Sequence, residues 1–212
     1  VNNIDSTLND LKIKGLILEK EEFENLNYIF EYSLKLKKHI TKKYFPLWIK
    51  IISDIIDFKP IISNFHDIFE DDFTVKITAS KTLLKIDKEK KTIEKSIVTT
   101  AENIANNASS KGWSLSNKIS YKNNRIVVPI THSYKNKIEG IVQAISQTEQ
   151  TVFIEPIELV QMNNRYNDLV FEEKREIAKI LLKLTDLLRR HKADIYNCYL
   201  IEKQYDYHYT IA

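Results

Sequence analysis

The sequence predicts a mainly α-helical protein with a small antiparallel β subdomain: a helical core, two long antiparallel helices, and a β-rich insertion at their tip. Three observations carry this reading. Two long stretches place apolar residues at the three-, four- and seven-residue spacing of an amphipathic helix. Between them the period changes to two. The pair Asn123-Asn124 then stands where a hairpin turn is needed, and asparagine tolerates the positive φ of such a turn.

Residues 1–78 are read as the helical core. Phe23, Leu26, Ile29, Phe30 and Leu34 share one helix face, and after an interruption at Pro46 the stretch Leu47 to Phe58 reads as a helix ending before Pro60. Residues 61–78 look irregular, with "DIFEDDFTVKIT" a turn or a short strand. Residues 79–112 form the first long helix. Its stripe is Ala79, Leu83, Ile86, Ile93, Ile97, Ala101, Ile104 and Ala108, and Gly112 is the post-helix residue.

Residues 113–157 form the β-rich unit. It comprises a hairpin over 117–130 and strands over 138–146 and 151–155, with Pro129 expected at a strand end or edge. Residues 158–212 carry the second long helix and the return to the core. That helix runs to about His191. The following residues begin as helix, and the tail "YDYHYT" alternates like a strand. A lone amphipathic rod of this length is marginal, so the two rods are expected to pack antiparallel.

Composition excludes several functions. Cys198 is the only cysteine, so there is no internal disulfide and no Cys-rich zinc site, which points to a reducing cytoplasm. The five histidines show no HxxxH or HExxH spacing. Gly15, Gly112 and Gly140 are far apart, so neither a GxxxxGK loop nor a GxGxxG turn exists. No apolar run approaches the ~18 residues of a membrane span. The chain begins at Val1 and its one methionine is Met162, so it is expected to be a piece of a longer protein.

No catalytic, metal-ligating or cofactor-binding residue is predicted. Glu70, Asp71 and Asp72 read as a solvated loop. His132-Ser133 lacks a supporting acid and the glycines of a nucleophile elbow. The run from Glu172 to Glu176 reads as a solvated helix face with i,i+4 pairs.

Charge is distributed unevenly. Residues 103–138 contain no Asp or Glu, where the average composition would give about five. The same window holds Lys111, Lys118, Lys122, Arg125, Lys135 and Lys137. Residues 111–157 carry the whole net charge of +3, and the remainder is balanced. Trp113, Tyr121, Asn123, Asn124, Tyr134 and Asn136 are interspersed. Such a surface fits phosphate contacts through its six cations. On charge alone it equally fits a solubilising basic tip.

The passage from strand to second helix is a candidate joint, made of Glu155, Pro156, Asn163 and Asn164. Acids suit a helix start, and Pro156 fits the first helical position because it fixes φ and lacks an N–H. Asn163 and Asn164 are poor helix formers. The expectation is that one of them hydrogen-bonds the backbone of the β-rich unit.

The stretch "NNRIVVPITHSYKNKIEGIVQAISQTEQTVFIEPIELVQMNNR", followed by "EEKREIAKIL", resembles the clamp and descending lever of the second bacterial MutS subfamily, MutS-two. The matching positions are Arg125 with Val128-Pro129-Ile130, Gly140-Ile141-Val142, Ser146 with Thr151 to Pro156, Met162-Asn163-Asn164, and Glu173 with Glu176-Ile177 and Ile180-Leu181. Upstream, "TASKTLLKI" is similar to the start of the ascending lever and "LKIKGLILEKEEF" to the entry into the core. Thr131 replaces the family's lysine, Gln143-Ala144 its His-Asp, and Glu149 its turn glycine, so that turn is expected to use another geometry.

The resemblance implies core, ascending lever, clamp and descending lever over the four ranges above. It implies a non-catalytic module gripping branched or double-stranded DNA in recombination suppression and DNA repair. The parent would be an ATPase and endonuclease whose ATP, Mg and nuclease sites lie outside this sequence. Alternatives at this point are a ribosome- or rRNA-binding module in rescue of collided ribosomes, and a helical interaction scaffold. The chain itself would be a monomer, with the parent dimerising through its ATPase domain.

Overall fold

The computed structural model describes residues 3–40 and 46–211. In chain order the helices are α1 (Asp5–Asp10), α2 (Lys20–His39), α3 (Pro46–Ser53), α4 (Lys59–Ile68), α5 (Lys81–Ser110), α6 (Ile157–Arg190) and α7 (Lys192–Ile211). Between α5 and α6 lie β1 (Ser120–Lys122), β2 (Arg125–Thr131), β3 (Gly140–Ile145) and β4 (Thr151–Pro156). The mainly helical fold with a small antiparallel sheet is as the sequence predicts. The chain divides into two compact units, residues 1–83 with 176–212, and residues 84–175.

In the first unit, α2 opens with Glu22 Oε2 accepting the Glu19 N–H at 2.8 Å, which satisfies one of the free donors of a helix start. Phe23, Phe30, Phe58, Phe65 and Phe69 fill the core with Leu184, Leu188, Ile195 and Cys198. The helix expected over Leu47 to Phe58 ends at Ser53, and α4 begins at Lys59 with Pro60 in its first turn. Pro60 therefore starts a helix instead of stopping one, because its missing N–H is one that a first turn leaves unpaired anyway. Residues expected to be irregular from 61 are helical to Ile68, followed by a single bridge between Phe69 and Val75. The "YDYHYT" tail belongs to α7. Tyr205 packs on Trp48 at 5.3 Å between ring centroids, and Tyr32 Oη donates to Asp206 at 2.7 Å.

In the second unit, α5 and α6 run antiparallel. Ile97 and Ala101 of α5 pack with Leu159 of α6. The alanines of α5 matter for the sheet. Ala105 and Ala108 are buried against Val128, Ile130, Val152 and Ile154, and their small side chains let the sheet lie close to the helix. The run from Glu172 to Glu176 is not merely solvated: Glu173 bonds Lys90 across the helix pair, and Arg165 bonds both Glu89 and Glu172 at 2.8 Å. Glu173 thus reaches the partner helix, while Glu172 and Glu176 pair within α6, with Arg165 and Lys179. Each is worth roughly 0.2–1 kcal/mol.

The sheet order is β1-β2-β4-β3, all antiparallel. Asn123 and Asn124 have φ of 51° and 59°, giving the two-residue hairpin turn. Pro129 lies inside β2, a central strand, and not at its end. Thr131 N–H bonds Trp113 O while His132 N–H bonds Gln150 O, so odd positions of β2 face away from β4. The Pro129 nitrogen therefore faces the side where β1 has already ended, its last partner being Val127. The ladder loses nothing. Glu149 keeps a left-handed conformation, φ 59°, so the turn expected to change geometry retains a positive φ with a non-glycine residue.

Candidate nucleic-acid interface

The interface candidate is built on the second unit. α5 ends in a Schellman arrangement: Trp113 N–H bonds Ala108 O at 2.8 Å, Gly112 N–H bonds Ser109 O at 2.9 Å, and Gly112 has φ 70°. The exposed Lys111 and Lys118 flank the loop that follows. Lys111 Nζ lies 4.7 Å from the Trp113 ring centre and Lys122 Nζ 4.6 Å from that of Phe153. An aromatic face holds each ammonium at the surface, worth about 0.5–1 kcal/mol, and leaves its other directions open to an anion. Lys135 and Lys137 lie in an exposed 3-10 turn over His132–Lys137. Tyr121 and Tyr134 are exposed among these lysines.

Arg125 is placed differently from the lysines. Its Nη1 bonds Glu155 Oε1 and its Nη2 bonds Asn164 Oδ1, both at 2.6 Å. Both guanidinium ends are thus committed within the unit. Glu155 is fully buried, and its carboxylate does not simply complement a helix dipole. Oε1 also accepts from Asn163 Nδ2 at 2.9 Å, and Oε2 from Gln143 Nε2 at 2.7 Å. A buried carboxylate needs this many donors, since each lone pair left bare costs desolvation energy.

Asn163 is buried too. Its Nδ2 donates to Ile126 O at 3.3 Å, and its Oδ1 accepts the Ile126 N–H at 3.4 Å. Pro156 explains why. The β2–β4 register pairs Val128 with Ile154, and continuing it brings Pro156 opposite Ile126. Pro156 is the last residue of β4, not the first of α6 as expected, and it has no N–H to offer. The Asn163 amide, arriving from the second turn of α6, supplies both the donor and the acceptor.

Gly140 completes the joint. It pairs with Pro156, and a Cβ there would lie 2.2 Å from Glu155 O. Only glycine lets β3 approach the β4 backbone this closely. Gln143 sits at the irregularity between Val142 and Ala144, where the bulge turns its side chain toward Glu155. The structure thus brings Arg125, Glu155, Asn163 and Asn164 together and adds Gln143. In the sequence Gln143 stands out only as a departure from a family pattern.

The three glycines share no loop, and Gly140 is closed against Glu155. Among the described residues no group of three or more His, Cys, Asp or Glu side chains could hold a metal ion. No helix among them is long and apolar enough to cross a membrane.

Comparison with known proteins gives the context. No protein-family model matches the chain. It is 32% identical over 197 residues to endonuclease MutS2 of Fusobacterium nucleatum, covering 92% of this chain and 25% of that protein. It is 28% identical over 189 residues to endonuclease MutS2 of Halothermothrix orenii, covering 87% and 24%. Over 81 residues it is 42% identical to endonuclease MutS2 of Streptococcus thermophilus, covering 38% and 10%. The chain spans about a quarter of the length of the first two of these relatives. At 32% identity to one such endonuclease over 92% of its own length, the chain belongs to the MutS2 family.

Proposed function

We propose that the unit of residues 84–175 is a clamp that grips nucleic acid by its phosphates, in the DNA-processing work of a MutS2 protein. One observation carries this reading: the acid-free stretch 103–138 comprises the end of α5, a loop, a hairpin and a turn, which expose Lys111, Lys118, Lys135 and Lys137, with Lys122 half-exposed. Phosphate contacts need cations without competing carboxylates, and they fix position without reading sequence. No helix is dedicated to base edges in this reading, so recognition is of shape and backbone.

Branched DNA is the favoured target, with ribosomal RNA as the alternative bearer of the same phosphates. The nuclease chemistry in the relatives' name, and any ATP- and Mg-dependent step, belong in this reading to parts of the whole protein beyond these 212 residues. The buried free thiol of Cys198 suits a cytoplasmic setting.

Titration of a four-way junction and a linear duplex at several salt concentrations tests the reading. The expected affinity is weak, with Kd on the order of 10⁻⁴–10⁻⁶ M near physiological salt. Absence of binding even at low salt would sink it. Co-sedimentation with stalled disomes that excess DNA fails to compete would move the target from DNA to the ribosome.

A further inference from the structure

We propose that Leu115 is a wedge residue that enters a break in the base stack of the bound nucleic acid. The proposal rests on the clamp reading above and adds a specificity determinant to it. Leu115 is 88% exposed, more than any other large hydrophobic side chain among the described residues.

Single exposed apolar residues are ordinary on protein surfaces. Leu115 differs in how it is held and in what surrounds it. The residues on both sides are fixed. Trp113 is bonded through its N–H to Ala108 O and through its O to the Thr131 N–H. Ser114 is buried, its hydroxyl lying 2.7 Å from Pro129 O and 2.6 Å from Ser116 O while also accepting the Ser116 N–H at 3.2 Å. Lys118 N–H bonds Ser116 Oγ at 3.1 Å. The loop is thus tied to α5 on one side and to β2 on the other, and it presents Leu115 outward. The backbone that presents it has little freedom left to lose on binding.

The surroundings select the partner. Lys111 stands four positions before Leu115 and Lys118 three after, both exposed, with no acid from residue 103 to 138. This favours a polyanion. A leucine cannot bond a phosphate, and the apolar surface that a nucleic acid offers is the face of its bases. Those faces are closed in a continuous duplex and open at a branch, bulge or gap. Apolar wedges do enter base steps, and unstacking costs least where the stack is already interrupted. The lysines would therefore hold the backbone while Leu115 favours an interrupted duplex over a continuous one.

The test uses the 212-residue chain with two probes, a linear duplex and a three-way junction, each carrying 2-aminopurine, in the junction next to the branch. The unaltered chain is expected to prefer the junction and to raise 2-aminopurine fluorescence there. Leu115→Ala and Leu115→Ser should abolish the rise and remove about tenfold of the preference, with affinity for the linear duplex and its salt dependence unchanged. Leu115→Met should retain both. An unchanged preference and fluorescence rise in Leu115→Ala would overturn the wedge and leave the clamp reading standing. Equal loss of affinity for both probes would also overturn it. If the unaltered chain binds neither probe at low salt, the clamp reading and the wedge fall together.

Discussion

Asn163 holds both backbone groups of Ile126 with one side-chain amide, at 3.3 and 3.4 Å, in the place where Pro156 has no N–H to give. The second turn of α6 thereby stays attached to the sheet where β4 ends at Pro156. Asn163→Ala should cost about 1–3 kcal/mol, because it strips a buried carbonyl, a buried N–H and part of the Glu155 shell. Asn164 is exposed and receives one bond, from Arg125, so Asn164→Ala should cost about 0.5–1.5 kcal/mol. Urea unfolding of the two variants checks the order; equal or reversed losses would contradict the assignment.

Arg125 and Glu155 form the ionic centre of the joint. Arg125→Ala leaves a fully buried carboxylate short of its charge partner, and the expected loss is about 3–5 kcal/mol. The double variant Arg125→Met with Glu155→Leu should lose clearly less than the sum of the single changes, since no orphaned charge remains. A double-mutant cycle by chemical denaturation reads this coupling directly. Strict additivity would mean that the pair is not coupled.

Two glycines should respond to alanine for different reasons. At Gly140 the new Cβ meets Glu155 O at 2.2 Å, and backbone must move. Overpacking of this kind costs about 1–3 kcal/mol, and its effect should appear in backbone amide shifts of Glu155 and Pro156's neighbours. At Gly112 the space is open and only the left-handed φ of 70° is penalised, by about 1–2 kcal/mol. NMR spectra should place the Gly112→Ala changes in the loop after α5 and not at the joint.

The first unit should be pH-sensitive through Glu202. Burial, reinforced by Asp206, pushes its carboxyl up to about 8, against the Cys198 thiol's opposing bond at 3.5 Å. Burial and the Glu202 charge push that thiol upward in turn. A raised carboxyl means that the folded state holds the proton more tightly than the unfolded chain does. Its contribution to stability is therefore full below about pH 4 and lost as pH rises through about 8, a difference on the order of a few kcal/mol. Glu202→Gln should flatten this dependence and be the more stable protein at pH 9. Parallel pH profiles for both proteins would contradict the account.

The sequence carried the architecture because the long helices announce themselves. The stripe from Leu83 to Ala108 and the switch to period two leave little choice, and Asn123-Asn124 marks the hairpin. α7 was less legible because its buried stripe includes Cys198 and Glu202, so apolar periodicity alone breaks down and "YDYHYT" imitates a strand. Pro60 misled because a proline in a first helical turn and one after a helix look alike. At the joint, Glu155, Asn163 and Asn164 stood out as odd residues. The Arg125 and Gln143 contacts could not be read, because they depend on which strands become neighbours in β1-β2-β4-β3 order and on a bulge.

If the lysines of the second unit grip phosphates, binding must weaken with salt in a defined way. The logarithm of affinity for a linear duplex, followed against the logarithm of salt concentration, should fall with a slope of about −0.9 per phosphate contacted. Replacing Lys118, Lys122, Lys135 and Lys137 together by glutamine should flatten that slope by about 0.9 for each lysine in contact, with the fold intact by circular dichroism. A slope unchanged in the fourfold variant, or no binding by the unaltered chain at low salt, would contradict the account.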